Sequence, residues 1–177
     1  MSKGVTLVEV LLGIFILSLL ASFSIPTWQQ NNTQRVLAKE QHKLYLFLRQ
    51  VQARVENSSD IWLIIANRQS SLRGWCITAQ RKSEPLCDCL LPQSCSGSTS
   101  AHFYYPYFPE QTMIVAKQYF PTEITKFNGI RNTSPSACFV LQAGDSRTLF
   151  SFSNLGTLKL KGYQSTSACT SGSGDEE

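Results

Sequence analysis

Residues 1–30 read MSKGVTLVEVLLGIFILSLLASFSIPTWQQ, and this stretch decides the fold. From position 5 to position 28 the one ionisable side chain is Glu9, and residues 10–25 carry no charge at all. Extended back through residues 5–8, the run approaches the roughly 20 apolar residues with which a helix crosses a bilayer. Lys3 precedes it, and Arg35, Lys39 and Lys43 follow it. A cleaved secretory signal needs a longer cationic lead and small residues at its cut site. A single lysine and Ala21-Ser22-Phe23-Ser24 meet neither need. The run therefore predicts a single-pass anchor over residues 5–28.

Two residues inside or beside the run need a reason. A carboxylate in a spanning segment costs at least roughly 2.5–3.5 kcal/mol, so Glu9 calls for a partner or a function. The alternative is a carboxylate at headgroup level near the helix start, favoured by the helix dipole. Pro26 removes a backbone hydrogen bond and crowds the preceding turn, which predicts a kink.

Downstream, Leu37, Leu44, Leu48, Val51 and Val55 recur seven, four, three and four residues apart, one stripe on a helix. Arg35, Lys39, Lys43, Arg49 and Arg54 lie on other faces with Glu40 and Glu56, as a solvated face or a surface for anionic lipid or nucleic acid. The turn-rich Asn57-Ser58-Ser59-Asp60 ends the helix. A helix over 6–56 would be about 75 Å long, its 29–57 half packed on a globular head. Short β-rich runs follow at 61–66, 72–79, 113–120, 137–142, 148–153 and 157–163. Asn154-Leu155-Gly156 makes a hairpin loop between the last two. Residues 81–100, rich in Ser, Pro, Gly and Cys, form a long loop, and 165–177 a flexible acidic tail. The expected fold is one α+β unit, with a long N-terminal helix packed on an antiparallel β-sheet head spanning 58–164. The mean hydropathy of −0.11 excludes a polytopic membrane protein, and 11% aromatic residues argue against disorder.

Met-Ser-Lys-Gly-Val-Thr-Leu-Val-Glu resembles the leader of a type IV prepilin. The resemblance implies removal of residues 1–4 by prepilin peptidase, which cuts between Gly4 and Val5 and N-methylates Val5. Glu9 is then the fifth mature residue, the hallmark glutamate of assembly, and Pro26 the helix-bending twenty-second. Val5 departs from the usual phenylalanine. Cleavage gives Glu9 a cationic partner in the Val5 amine, four residues away or on a neighbouring subunit. The head resembles the FimT-like minor pilins, a branch that includes the minor pseudopilin H of type II secretion. The matching residues are Gln50-Val51-Gln52-Ala53-Arg54 with 60–66, Arg73-Gly74-Trp75-Cys76-Ile77, and 149–157, LFSFSNLGT. Together these imply a type IV pilin fold inserted in the bacterial inner membrane by one span, with a periplasmic head, and then placed in a pilus or pseudopilus.

That topology makes disulfides the default for Cys76, Cys87, Cys89, Cys95, Cys138 and Cys169. Six cysteines allow 15 pairings. Our reading joins Cys138 to Cys169 and lets the other four staple the loop to the Cys76 strand. The rival is a zinc site on Cys76, Cys87, Cys89 and Cys95, which lacks paired C-x₂-C knuckles. His42 and His102 have no ligand-like neighbours, and His102 opens the aromatic run HFYYPYF at 102–108, read as core or packed loop before a partner patch. No nucleotide-binding or hydrolase motif occurs, so we expect neither cofactor nor enzymatic activity.

The formal net charge is +4. Arg147, Lys159 and Lys161 are candidate DNA contacts, Lys159 and Lys161 sharing one strand face. Arg68, Arg73, Arg81 and Lys82 form a second basic group. The resulting expectation is a minor pilin of a type IV or competence pilus that helps to initiate or cap assembly. Its expected partners are other major and minor pilins through the N-terminal helix, prepilin peptidase/methylase, the inner membrane and DNA. The competing expectations are a type II secretion pseudopilin and a membrane-anchored periplasmic binding protein without a filament.

Overall fold

The computed structural model describes residues 6–69, 74–97, 99–165 and 169, with side chains at all of these but 23–30 and 94. Helix α1 (Leu7–Glu56) starts at Thr6, whose extended backbone and hydroxyl form the N-cap, and ends at Asn57. Its backbone is helical through Pro26, whose side chain is among those not described. Eight strands follow: β1 (Ile61–Gln69), β2 (Gly74–Arg81), β3 (His102–Tyr104), β4 (Thr112–Ala116), β5 (Thr125–Asn128), β6 (Ala137–Ala143), β7 (Ser146–Phe152) and β8 (Leu158–Gly162).

The strands form two sheets, ordered β3-β2-β1-β5 and β4-β6-β7-β8, every pair antiparallel. This corrects the expected pilin fold of a long helix on one antiparallel sheet. The structure is α+β, but most of its elements are strands, and they share a core between two sheets. Phe127 of β5 meets Phe152 of β7 edge-on at 5.6 Å, and the buried Trp75 of β2 donates through Nε1 to the Thr112 carbonyl of β4 at 3.1 Å. Large aromatic side chains on facing strands fill the interlayer space as two inner faces would. Leu44, Leu48, Val51 and Val55 close this core from the helix side.

The strands differ from the expected ones where local pattern is weakest. Residues 113–120 shorten to β4 because Phe120 N–H turns to donate to the Ala66 carbonyl at 2.7 Å. Positions 72 and 73, including Arg73, lie outside the described residues. β3 and β5, of three and four residues, were not expected from the sequence, being too short to show an alternation.

β1 and β2 are buried on both faces. Trp62, Ile64, Ala66, Trp75, Ile77 and Ala79 face the shared core. The opposite face lies under the loop that follows β2. Buried Gln80 donates to the Pro85 carbonyl at 3.0 Å and accepts from Cys87 N–H at 2.7 Å, while Asn67 donates to Asp88 at 2.7 Å. The long loop is thus a lid on one sheet. At the hairpin between β7 and β8, Gly156 has φ +75°, a left-handed conformation that glycine adopts without penalty. At Gly129 a Cβ would collide with the Val55 and Ser58 carbonyls, so glycine lets the chain after β5 touch the helix end.

The expected single-pass inner-membrane placement is also corrected. Among the described residues no helix is long and apolar enough to cross a membrane. The apolar start of α1 carries the charged Glu9 in its first turn.

Candidate assembly interface

The exposed start of α1 is the most unusual surface of the molecule. Leu7, Val8, Val10, Leu11, Leu12, Ile14, Phe15, Ile16, Leu17, Leu19 and Leu20 are all exposed, Leu7 by 75% and Leu20 by 60%. They lie on every side of the helix, so no single face is wet. The two serines among them turn inward on the backbone: Ser18 donates to the Phe15 carbonyl at 2.7 Å and Ser22 to the Ser18 carbonyl at 2.9 Å. Their polarity is thereby removed from the lateral surface.

Thr6-Leu7-Val8-Glu9 has the S/T-x-x-E spacing of a capping box. Thr6 Oγ1 accepts from Glu9 N–H at 3.4 Å, and the Thr6 carbonyl accepts from Glu9 and Val10 N–H at 3.1 and 3.3 Å. The Glu9 carboxylate sits in the first turn, where the helix dipole favours an anion, and has no hydrogen-bond or ion-pair partner among the described residues. Gly4 and Val5 lie outside those residues.

The packed part of α1 carries a side chain that sequence reasoning passed over. Glu40 is fully buried in the stripe, filling the gap between Leu37 and Leu44. Its carboxylate accepts from the Tyr104 hydroxyl and from Tyr107 and Phe108 N–H at 2.9 and 3.2 Å. Burial first, then the hydrogen bond and charge of Glu40, push the Tyr104 hydroxyl far above its ordinary range, so it remains a donor. One turn on, Lys43 donates to the Tyr105 carbonyl at 2.6 Å and lies 3.4 Å from the Tyr107 ring centroid. The aromatic run 102–108 is therefore clasped on the helix, with Tyr105 and Tyr107 left exposed. Between run and helix lies a groove of about 930 Å³ whose wall includes His42. The signal was present in the sequence: a seven-residue gap in an otherwise regular stripe.

His102 stacks on Trp62 at 5.5 Å and accepts from Arg54. Desolvation, and next the Arg54 charge, lower its pKa, so the imidazole is held neutral.

The cysteines form three bridges: Cys76–Cys89, Cys87–Cys95 and Cys138–Cys169. Cys76, Cys87, Cys89 and Cys95 are consequently not available as a thiolate set for zinc. An uncharacterized protein of Haemophilus influenzae is 52% identical over 169 residues, covering 96% of this chain and 99% of that protein. This chain belongs to that protein's family. No protein-family model matches the chain, and no solved structure matches it.

The family member described here brings some basic candidates together and disperses others. Arg147, Lys159 and Lys161 share the outer face of the second sheet, since Ser151 pairs with Lys159 and Leu149 with Lys161. Arg147 Nε donates to Gln142 at 3.2 Å. In the other group, Arg68 lies over the Tyr119 ring at 5.7 Å, and Arg81 pairs with Asp60 at 3.2 Å. Those two are occupied within the chain.

Proposed function

We propose that this chain is a minor pilin: a subunit cut by prepilin peptidase between Gly4 and Val5, methylated on Val5, and incorporated into a type IV or competence pilus. There it helps to initiate or cap assembly. The observation that carries this reading is the all-round exposed apolar surface of residues 7–20 on a helix whose later turns are locked into the head. Contiguous exposed apolar surface of this kind marks an interaction site, and like helices of neighbouring subunits would cover it from every side. Glu9, in the first turn and without a partner among the described residues, is suited to the amine of a neighbouring subunit. The three bridges fit assembly in an oxidising compartment.

Mass spectrometry of the native protein tests the reading: a mature chain starting at methylated Val5 is expected, and an intact Met1 or a cut after Ala21 overturns it. Glu9→Ala is expected to abolish incorporation while leaving the head folded. Unchanged piliation, transformation and secretion would dismiss a filament role. The outer face bearing Arg147, Lys159 and Lys161 is the proposed DNA contact. Binding that weakens with salt and is lost in Lys159→Ala/Lys161→Ala is expected, and no binding at low salt removes that part.

A further inference from the structure

The second sheet has two outer strands, β4 and β8, and their free edges differ. The edge of β4 is sealed. Thr112 N–H donates to the Phe108 carbonyl at 2.9 Å, and the Thr112 carbonyl accepts from Trp75 Nε1 at 3.1 Å. The Tyr119 hydroxyl donates to the Ile114 carbonyl and accepts from Ala116 N–H, both at 3.1 Å. Two side chains and a turn thus take up edge groups that an added strand would need.

No such cover lies over β8 among the described residues. Ser153 N–H donates to the Thr157 carbonyl at 3.0 Å, and Tyr163 N–H to the Arg147 carbonyl at 3.2 Å. These two pairs fix the phase of the ladder, so Lys159 and Lys161, which lie between them, also exchange their backbone bonds with β7. Leu158, Leu160 and Gly162 therefore aim N–H and C=O away from β7. None of these groups has a hydrogen-bond partner among the described residues. A regular strand with donors and acceptors on alternate residues of its free edge is a template for another strand.

The side chains of β8 decide what strand would fit. Leu158 is buried in the core and Leu160 packs against it. On the opposite face Lys159 is exposed, with Lys161 next along the same face. β6, β7 and β8 contain no acidic residue. The β8 of a second copy would set lysine beside lysine, and like charges on adjacent strands repel. A strand of opposite sign is attracted by the same side chains. The basic edge thus rejects its own copy and selects an acidic partner.

We propose that the free edge of β8 is a strand-addition site for an extended segment of another protein, one that alternates carboxylate and apolar side chains. Its carboxylates lie beside Lys159 and Lys161, and its apolar side chains beside Leu158 and Leu160. The inference does not rest on the filament reading. It sets the added strand and DNA in competition for the same lysines.

A synthetic peptide of alternating glutamate and valine is the probe, added to the full, oxidised chain in detergent, with single backbone amides followed by NMR. Slowed hydrogen exchange is expected at Leu158, Leu160 and Gly162, and no change at Lys159 and Lys161, whose N–H groups already face β7. Lys159→Glu, at an exposed position, is expected to weaken binding of this peptide about fivefold, as a cross-strand pair turned from attraction to repulsion would, and to favour a lysine–valine peptide instead. The glutamate–valine peptide methylated on its backbone nitrogens is expected not to bind. Absence of protection at Leu158, Leu160 and Gly162, equal binding of the lysine–valine or the methylated peptide, or unchanged affinity in Lys159→Glu would each overturn the proposal. So would a DNA duplex that engages the lysines where the peptide does not bind.

Discussion

Helix α1 contains two stretches that one backbone treats alike and their surroundings do not. From Val36 to Val55 a stripe of apolar side chains recurs on one face and is buried against two sheets. From Leu7 to Leu20 they occupy every face and are exposed. The difference shows what amphipathic spacing does. A stripe can be satisfied by the chain's own head, whereas all-round apolarity can be satisfied only by surroundings on all sides. Glu9 and Glu40 repeat the contrast with carboxylates, one in the first turn with no partner among the described residues, the other buried with three donors.

The sharpest way to break this comparison is a pair of truncations. Leu48→Ala should cost about 2–5 kcal/mol of head stability through lost burial and a cavity. In the same urea titration, Leu12→Ala should stay within about 0.5 kcal/mol and lower only self-association. Equal losses at both sites would end the distinction. Next in size is Glu40→Ala, which strands the Tyr104 hydroxyl and two N–H groups. At about 1–3 kcal/mol per unsatisfied buried group, a loss of about 3 kcal/mol is expected, and Glu40→Gln should recover part of it. Gly129→Ala, forced against the Val55 and Ser58 carbonyls, should cost about 1–3 kcal/mol, read as a shift in urea midpoint with unchanged slope.

A smaller effect comes from His102. Its folded pKa lies below the unfolded 6.5, so near pH 6 the unfolded chain binds more protons. Stability should then fall as pH drops through 6.5 and level off below the folded pKa. His102→Asn should remove that slope, while changes at exposed His42 should leave it in place.

Much of the helix was legible in the sequence because each of its signals is local: the apolar run, the stripe and the terminating turn are each read from residues close together along the chain. Glu40 was legible only as a gap, since charge at that position suggested solvent. The division into two sheets was not legible. Alternation along a strand tells which residues face a core, but not which strand lies alongside. β4 pairs with β6 across the intervening β5, and β5 pairs with β1 more than fifty residues earlier. The Cys138–Cys169 bridge was read from the sequence; the pairing among the other four was not, because it depends on how the loop lies over Gln80 and Asn67.

The bridges Cys76–Cys89 and Cys87–Cys95 are interlaced, each beginning inside or ahead of the other's span. Every peptide bond between positions 76 and 95 is therefore enclosed by at least one of them, and those between 87 and 89 by both. A protease that nicks this exposed loop releases nothing. The nicked chain would migrate as one species on a non-reducing gel and separate into two only when the bridges are opened.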